Sequence, residues 1–140
     1  LNTLSIPEYI NNILVRTIPS NFLSGTVKLL KVILPSSIKS ISSDAFASDI
    51  LEEVVISPSV RNLTIKGDAF AGTPNLNHIV IPTGVSTIKR HAFPIVNNKH
   101  MVIACRNLLK PAAWDDDWYQ LGEDDPSANY TVEILWGYNG

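Results

Sequence analysis

Three kinds of residue in this chain carry reactive or ligating chemistry, and their spacing decides what each can do. Cys105 is the single cysteine. Its thiol is a nucleophile or redox group only where the thiolate is favoured. It falls in a repeating apolar position, which predicts a buried structural cysteine. One cysteine also excludes an internal disulfide and a cysteine-built zinc site. Of the histidines, His78 and His91 stand at unlike positions and His100 in an apolar slot, and no H-E-x-x-H or related metal spacing occurs. G-x-S-x-G, the P-loop and G-x-G-x-x-G are missing as well. The chain reads as non-enzymatic, with no cofactor.

Asp115-Asp116-Asp117 and Glu123-Asp124-Asp125 offer the oxygen ligands calcium takes, but not in the D-x-D-x-D-G-x5-E order of a calcium loop. Pro111 suits the first turn of a helix, and Trp114 and Trp118, four apart, would share one face of it. That spacing predicts a cap that lays both tryptophans on the preceding structure and turns its acids to solvent. The alternative for the tryptophans is stacking on a glycan. Trp136 lies in a plausible closing strand, Tyr130 to Trp136. Asn62-Leu63-Thr64 and Asn129-Tyr130-Thr131 match the glycosylation pattern, but Leu63 is a core position, so both read as accidental.

The elements that must position these residues follow from composition and periodicity. The chain has 140 residues, net charge −2, 45% hydrophobic and 17% charged residues, which suits one domain with an ample core. No run approaches the roughly 18 apolar residues of a membrane span, and no basic-then-apolar leader opens the chain. It is expected to be cytosolic or an excised piece of a longer mature chain. The near-neutral balance argues against nucleic acid as a partner. Charge is unevenly placed: residues 1–110 hold all eleven Lys and Arg against six acids, residues 111–140 seven acids and no base. This marks a boundary near residue 110.

Self-similarity organises the rest. Anchors stand at Ile6, Leu34, Ile56, Ile81 and Cys105. Five before them are Leu1, Leu29, Leu51, Leu76 and His100, and two before are Leu4, Val32, Val54, Ile79 and Ile103. Four after come Ile10, Ile38, Val60, Val85 and Leu109, and three further Ile13, Ile41, Leu63 and Ile88. Each of the first four units closes on Phe22, Phe46, Phe70 or Phe93. Apolar alternation at each anchor predicts a short half-buried strand, and Pro7, Pro35 and Pro82 end it because proline cannot donate to a continuing ladder. The Asp-Ala-Phe segments are expected to reverse the chain as helical turns. One unit cannot bury its own face, whereas a stack shares a continuous core.

The run Leu76-Asn77-His78-Ile79-Val80-Ile81-Pro82-Thr83-Gly84-Val85-Ser86-Thr87-Ile88, followed by Ala92-Phe93, resembles the BspA-type leucine-rich repeat. Over residues 1–99 the resemblance implies four repeats of a right-handed parallel solenoid, strand-rich with short helical turns. Residues 100–140 resemble the final rung and acidic, Trp-rich C-terminal cap of such proteins. Ser57 replaces the expected proline, and rungs one and three are longer than the pattern. The resemblance implies a secreted or cell-surface module that binds an extracellular protein or host surface ligand, with further repeats preceding Leu1. No membrane insertion is expected.

The outward row of the first strand gives this expectation a place. One before the anchors stand Ser5, Ile33, Val55, Val80 and Ala104; three before stand Thr3, Lys31, Glu53, His78 and Val102. Such residues face away from the core and stack about 4.8 Å apart. A solvated row of β-branched apolar side chains reads as a contact strip. Ligand binding is therefore expected at Ile33, Val55 and Val80, with Lys31, Glu53 and His78 as flanking specificity groups. It reads equally as bracing between rungs, in which case the chain is a structural spacer with no ligand of its own.

Overall fold

The computed structural model describes residues 2–23, 28–95, 100–121 and 131–140. Its regular elements are fourteen short strands. Those of the first sheet wall are β1 (Thr3–Ser5), β5 (Lys31–Ile33), β7 (Glu53–Val55), β9 (His78–Ile81), β12 (His100–Cys105) and β14 (Thr131–Leu135). They pair in parallel as β1-β5-β7 and β9-β12-β14. A second wall holds β4 (Thr17–Ile18), β6 (Ser40–Ile41), β8 (Leu63–Ile65) and β10 (Val85–Ile88), and a third β11 (Phe93–Ile95) beside β13 (Tyr119–Leu121). The pair β2 (Tyr9–Ile10) and β3 (Ile13–Leu14) is the one antiparallel ladder among the described residues. Parallel neighbours drawn from successive units are what a coil of stacked rungs must produce.

The register shows why the anchor columns belong inside. Leu4 pairs with Val32 and Val32 with Val54, Ile79 with Ile103 and Ile103 with Ile134. Val32, Leu34, Ile38, Ile41, Leu51, Ile65, Leu76 and Ile81 are all buried in one cluster. Full burial of each such side chain contributes about 1.5–3 kcal/mol before the entropy of ordering it.

The expected helical turns are not formed: no helix occurs among the described residues. The corner is one turn closed by an i to i+3 bond, Ala45 N to Ser42 O at 3.3 Å, Ala69 N to Lys66 O at 3.2 Å and Ala92 N to Lys89 O at 3.2 Å. Its third residue has positive φ: Asp44 at 57°, Asp68 at 59° and His91 at 57°, with Asn21 at 57° in rung one. A left-handed residue reverses the chain after one turn, so no α-helix can propagate. These corners stack through backbone bonds, Asn21 N to Asp44 O, Asp44 N to Asp68 O and Asp68 N to His91 O. Pro111 likewise starts no helix, although it accepts a turn bond from Trp114 N.

Six slots differ from the sequence expectation. In rung one Ile10 and Ile13 are exposed on the β2–β3 hairpin, and the core places are taken by Val15 and Ile18, the latter paired with Ile41. Phe22 is only partly buried and stands outside the stacked rings, and the buried residue at this corner is Leu23. In rung three a positive-φ Asn62 shifts the register, so Leu63 pairs with Val85 and Ile65 with Ile88. In rung five Met101 is buried in place of His100, and Leu109 is exposed. Each slot moves because chain length between anchors varies while the stacking distance does not. Leu1 lies outside the described residues.

Trp114 and Trp118 lie on the last ring of the buried column, on turns rather than on the expected helix. Phe46, Phe70 and Phe93 stack at 5.2 and 4.6 Å between ring centroids, and Trp118 meets Phe93 edge-on at 5.9 Å. Trp114 and Trp118 are buried, and Trp114 Nε1 donates to the Val85 carbonyl at 3.1 Å. The aspartates do not all face solvent. Asp115 accepts from Arg90 N at 2.7 Å, and Asp117 takes Arg90 Nε at 2.8 Å with His91 Nε2 at 3.6 Å. Asp115 is half-buried, whereas Asp117 and Asp116 are exposed, the latter 3.4 Å from the Lys110 ammonium.

Candidate functional site

The outward face of the first wall gathers the six residues singled out from sequence. Lys31 stands opposite Glu53 and Ile33 opposite Val55 on β5 and β7. The Lys31 ammonium lies 3.5 Å from the Glu53 carboxylate, an exposed pair of the kind that contributes up to about 1 kcal/mol. His78 and Val80 are on β9, opposite Val102 and Ala104. Ile33, Val55 and Val80 are half-buried, and Glu53 and His78 are exposed.

The two halves of this face are not one continuous ladder. No hydrogen-bonded register joins β7 to β9, which belong to separate sheets. At that seam lies a cleft of about 180 Å³ lined by Glu53, Val54, Val55, Ile56, His78, Ile79 and Val80. The seam thus brings four of the six residues into one recess, with Lys31 and Ile33 on its far bank. A shallower space of about 570 Å³ is bordered by Glu52, Glu53, Asn75, Asn77 and His78. Another, of about 610 Å³, runs from Asn77 and His78 past His100, Thr131 and Glu133. His78 borders all three.

The row ends sooner than its pattern suggests. Ala104 is fully buried, so the apolar strip stops at Val80. Asn75 and Asn77 carry no expectation from sequence, and Thr131 and Glu133 only that of a closing strand. The asparagines are polar residues beside a repeat slot, a weak signal, and β14 follows β12 without the repeat spacing, so no periodicity predicts that Glu133 stands opposite Val102.

The reactive candidates take structural places. Cys105 is fully buried, and burial pushes its thiol from 9.0 up to about 12, so the thiolate needed for nucleophilic or metal chemistry is not formed near neutrality. His100 binds Thr131 Oγ1 through Nδ1 at 2.6 Å. No group of three His, Cys, Asp or Glu able to hold a metal occurs among the described residues. Glu123, Asp124, Asp125 and Asn129 lie outside them. Trp114 and Trp118, offered above as glycan-stacking groups, have no free face: both are sealed against Val85, Phe93 and each other.

No curated protein and no solved structure matches the chain. A protein family does: the BspA type leucine rich repeat region matches residues 1–104, in six copies. The parallel walls, the shared core column and that match agree. This chain belongs to the BspA type leucine-rich repeat family.

Proposed function

We propose that the chain is a non-enzymatic binding module of a secreted or cell-surface protein, docking an extracellular protein on the outward face of the first wall. The supporting observation is the seam between β7 and β9, where Val55 and Val80 flank a recess with Glu53 and His78 at its rim. An apolar floor beside polar edges is the arrangement by which surfaces combine affinity with partner choice. Leucine-rich-repeat solenoids are typically interaction scaffolds, and repeats of this family are often surface adhesion-type. No helix among the described residues is long and apolar enough to cross a membrane.

The second reading, a structural spacer, draws on the half-burial of the strip and the full burial of Ala104, which are what bracing between rungs would give. The test is binding to an immobilised panel of extracellular matrix proteins and glycans, beside a Val55→Lys/Val80→Lys variant whose circular dichroism and melting match wild type. Binding lost in the folded variant supports docking at the seam. Absence of binding by wild type favours the spacer, and binding that survives the variant overturns the strip.

A further inference from the structure

Five of the six large hydrophobic side chains exposed on the described surface lie at one corner of the coil, the segment between the first and second walls. At the rung-one end are Tyr9, Ile10 and Ile13, the last 71% exposed; at the rung-five end are Leu108 and Leu109, 84% and 75% exposed. Four rung spacings of about 4.8 Å separate the ends by roughly 19 Å. Between them the same corner carries only Pro35, Ser36, Ser37, Ser57, Pro58, Ser59, Pro82, Thr83 and Gly84, a low floor. A Cβ on Gly84 would come within 1.7 Å of the Val60 carbonyl, so this floor is closely packed.

The hairpin is a built projection. Its turn residues Asn11 and Asn12 have φ of 51° and 65°, the left-handed pair that a two-residue hairpin demands. Its base is tied down: Val15 N donates to Glu8 O at 2.7 Å, Ser37 Oγ to Val15 O at 2.6 Å, and Ser36 Oγ to the Glu8 carboxylate. Rung one therefore spends five more residues than rung two between its anchor and the second wall (Ile6 to Ile18 against Leu34 to Ile41). Those residues hold apolar side chains in water.

Beside this corner runs a column of cations. Lys39 N bonds Arg16 O at 2.6 Å, the Lys39 ammonium lies on the Arg61 carbonyl at 2.8 Å, and Lys110 stands five after its anchor, as Lys39 does. Arg16 and Arg61 are exposed and have no ion-pair partner among the described residues. Of the acids at this corner, Glu8 is engaged by Ser36 and Asp116 by Lys110. Aliphatic and tyrosine side chains at the two ends of a flank, with cations along it, form the pattern that seats a protein in the headgroup region of an anionic bilayer.

We infer that this corner docks the coil, lying on its side, onto an anionic lipid surface, with Ile10, Ile13, Leu108 and Leu109 entering the headgroup layer and Arg16, Lys39 and Arg61 over the lipid charges. This site is separate from the seam. The probe is co-sedimentation of the chain with vesicles of equal parts phosphatidylglycerol and phosphatidylcholine, beside vesicles of phosphatidylcholine alone. Wild type pellets with the anionic vesicles and not the neutral ones. Arg16→Gln/Arg61→Gln lowers partitioning by at least about tenfold, each cation near such a surface being worth roughly fivefold. Ile10→Ser/Ile13→Ser lowers it about tenfold with unchanged melting, because neither side chain is in the core. Should that variant melt early, a chain lacking residues 9–13, which restores the rung-two spacing, takes its place. Val55→Lys leaves partitioning unchanged. Failure of wild type to pellet, unaltered pelleting of both corner variants, or dimerisation through the hairpin without lipid would each overturn the inference.

Discussion

Two apolar columns run along this coil at the same rung spacing, one inside and one out, and their fates differ. Inside, Phe46, Phe70 and Phe93 stack ring on ring and end on Trp118, with no exposure worth the name. Outside, Ile33, Val55 and Val80 also stand on successive strands, yet each keeps part of its surface in water, and a cleft opens between the last two. The inner column can vary little, because a neighbour above and below fixes both faces of each ring. The outer column has one face partly open to water, so the fold fixes less of each side chain there. Periodic apolar residues are therefore sealed on both sides when they face inward and keep part of their surface in water when they face outward.

The largest way to break that comparison is Phe70→Ala. Removing the middle ring empties space between two others and should cost about 3–5 kcal/mol, read as a drop in the urea midpoint, while Val55→Ala costs far less. Were the two losses equal, the outer row would be core in all but exposure. Trp114→Phe comes next: it leaves the Val85 carbonyl without its donor and should cost roughly 1–3 kcal/mol, again by denaturant unfolding.

Cys105 sharpens the inner side through pH. Burial pushes its thiol from 9.0 up to about 12, so the native state holds the proton longer than the unfolded chain. That contribution is fully present below pH 9 and is lost as pH rises from 9 toward 12, since the unfolded chain ionises first. Cys105→Ala should flatten this fall in melting curves, and the native thiol should resist a thiol reagent at pH 8 that modifies it in urea. The smallest effect is Val55→Lys, expected within about 0.5 kcal/mol of wild type by thermal melting, since a lysine stem can lie along the strip with its ammonium in water. A loss of several kcal/mol would move Val55 into the bracing class and favour the spacer.

Much of this architecture was legible because a strand with one buried face must alternate, and a stack must repeat that alternation at each rung. Leu76, Ile79, Ile81, Val85, Ile88 and Phe93 fall where their spacing puts them. The Lys31–Glu53 pairing follows from the same arithmetic. Rung one escaped it, because Ile10 and Ile13 imitate the period while belonging to a hairpin whose Asn11-Asn12 turn leaves the apolar period unbroken. The corners escaped it too: a helical turn and a left-handed turn use the same Asp-Ala-Phe residues and differ in one φ angle.

The sequence by itself determined the column of alternating residues and the identity of the side chains on the outward row, since these depend on local period and composition. Only the tertiary structure decided which residues that row leaves open. The break between β7 and β9, the burial of Ala104, the return of β14 beside β12 and the clip of Asp115 and Asp117 on Arg90 all join residues with no shared period. Stacking distance is uniform along the coil, but the chain spent between strands is not. The excess must bulge, project or fold back, and where it goes is settled by neighbours in space rather than in sequence.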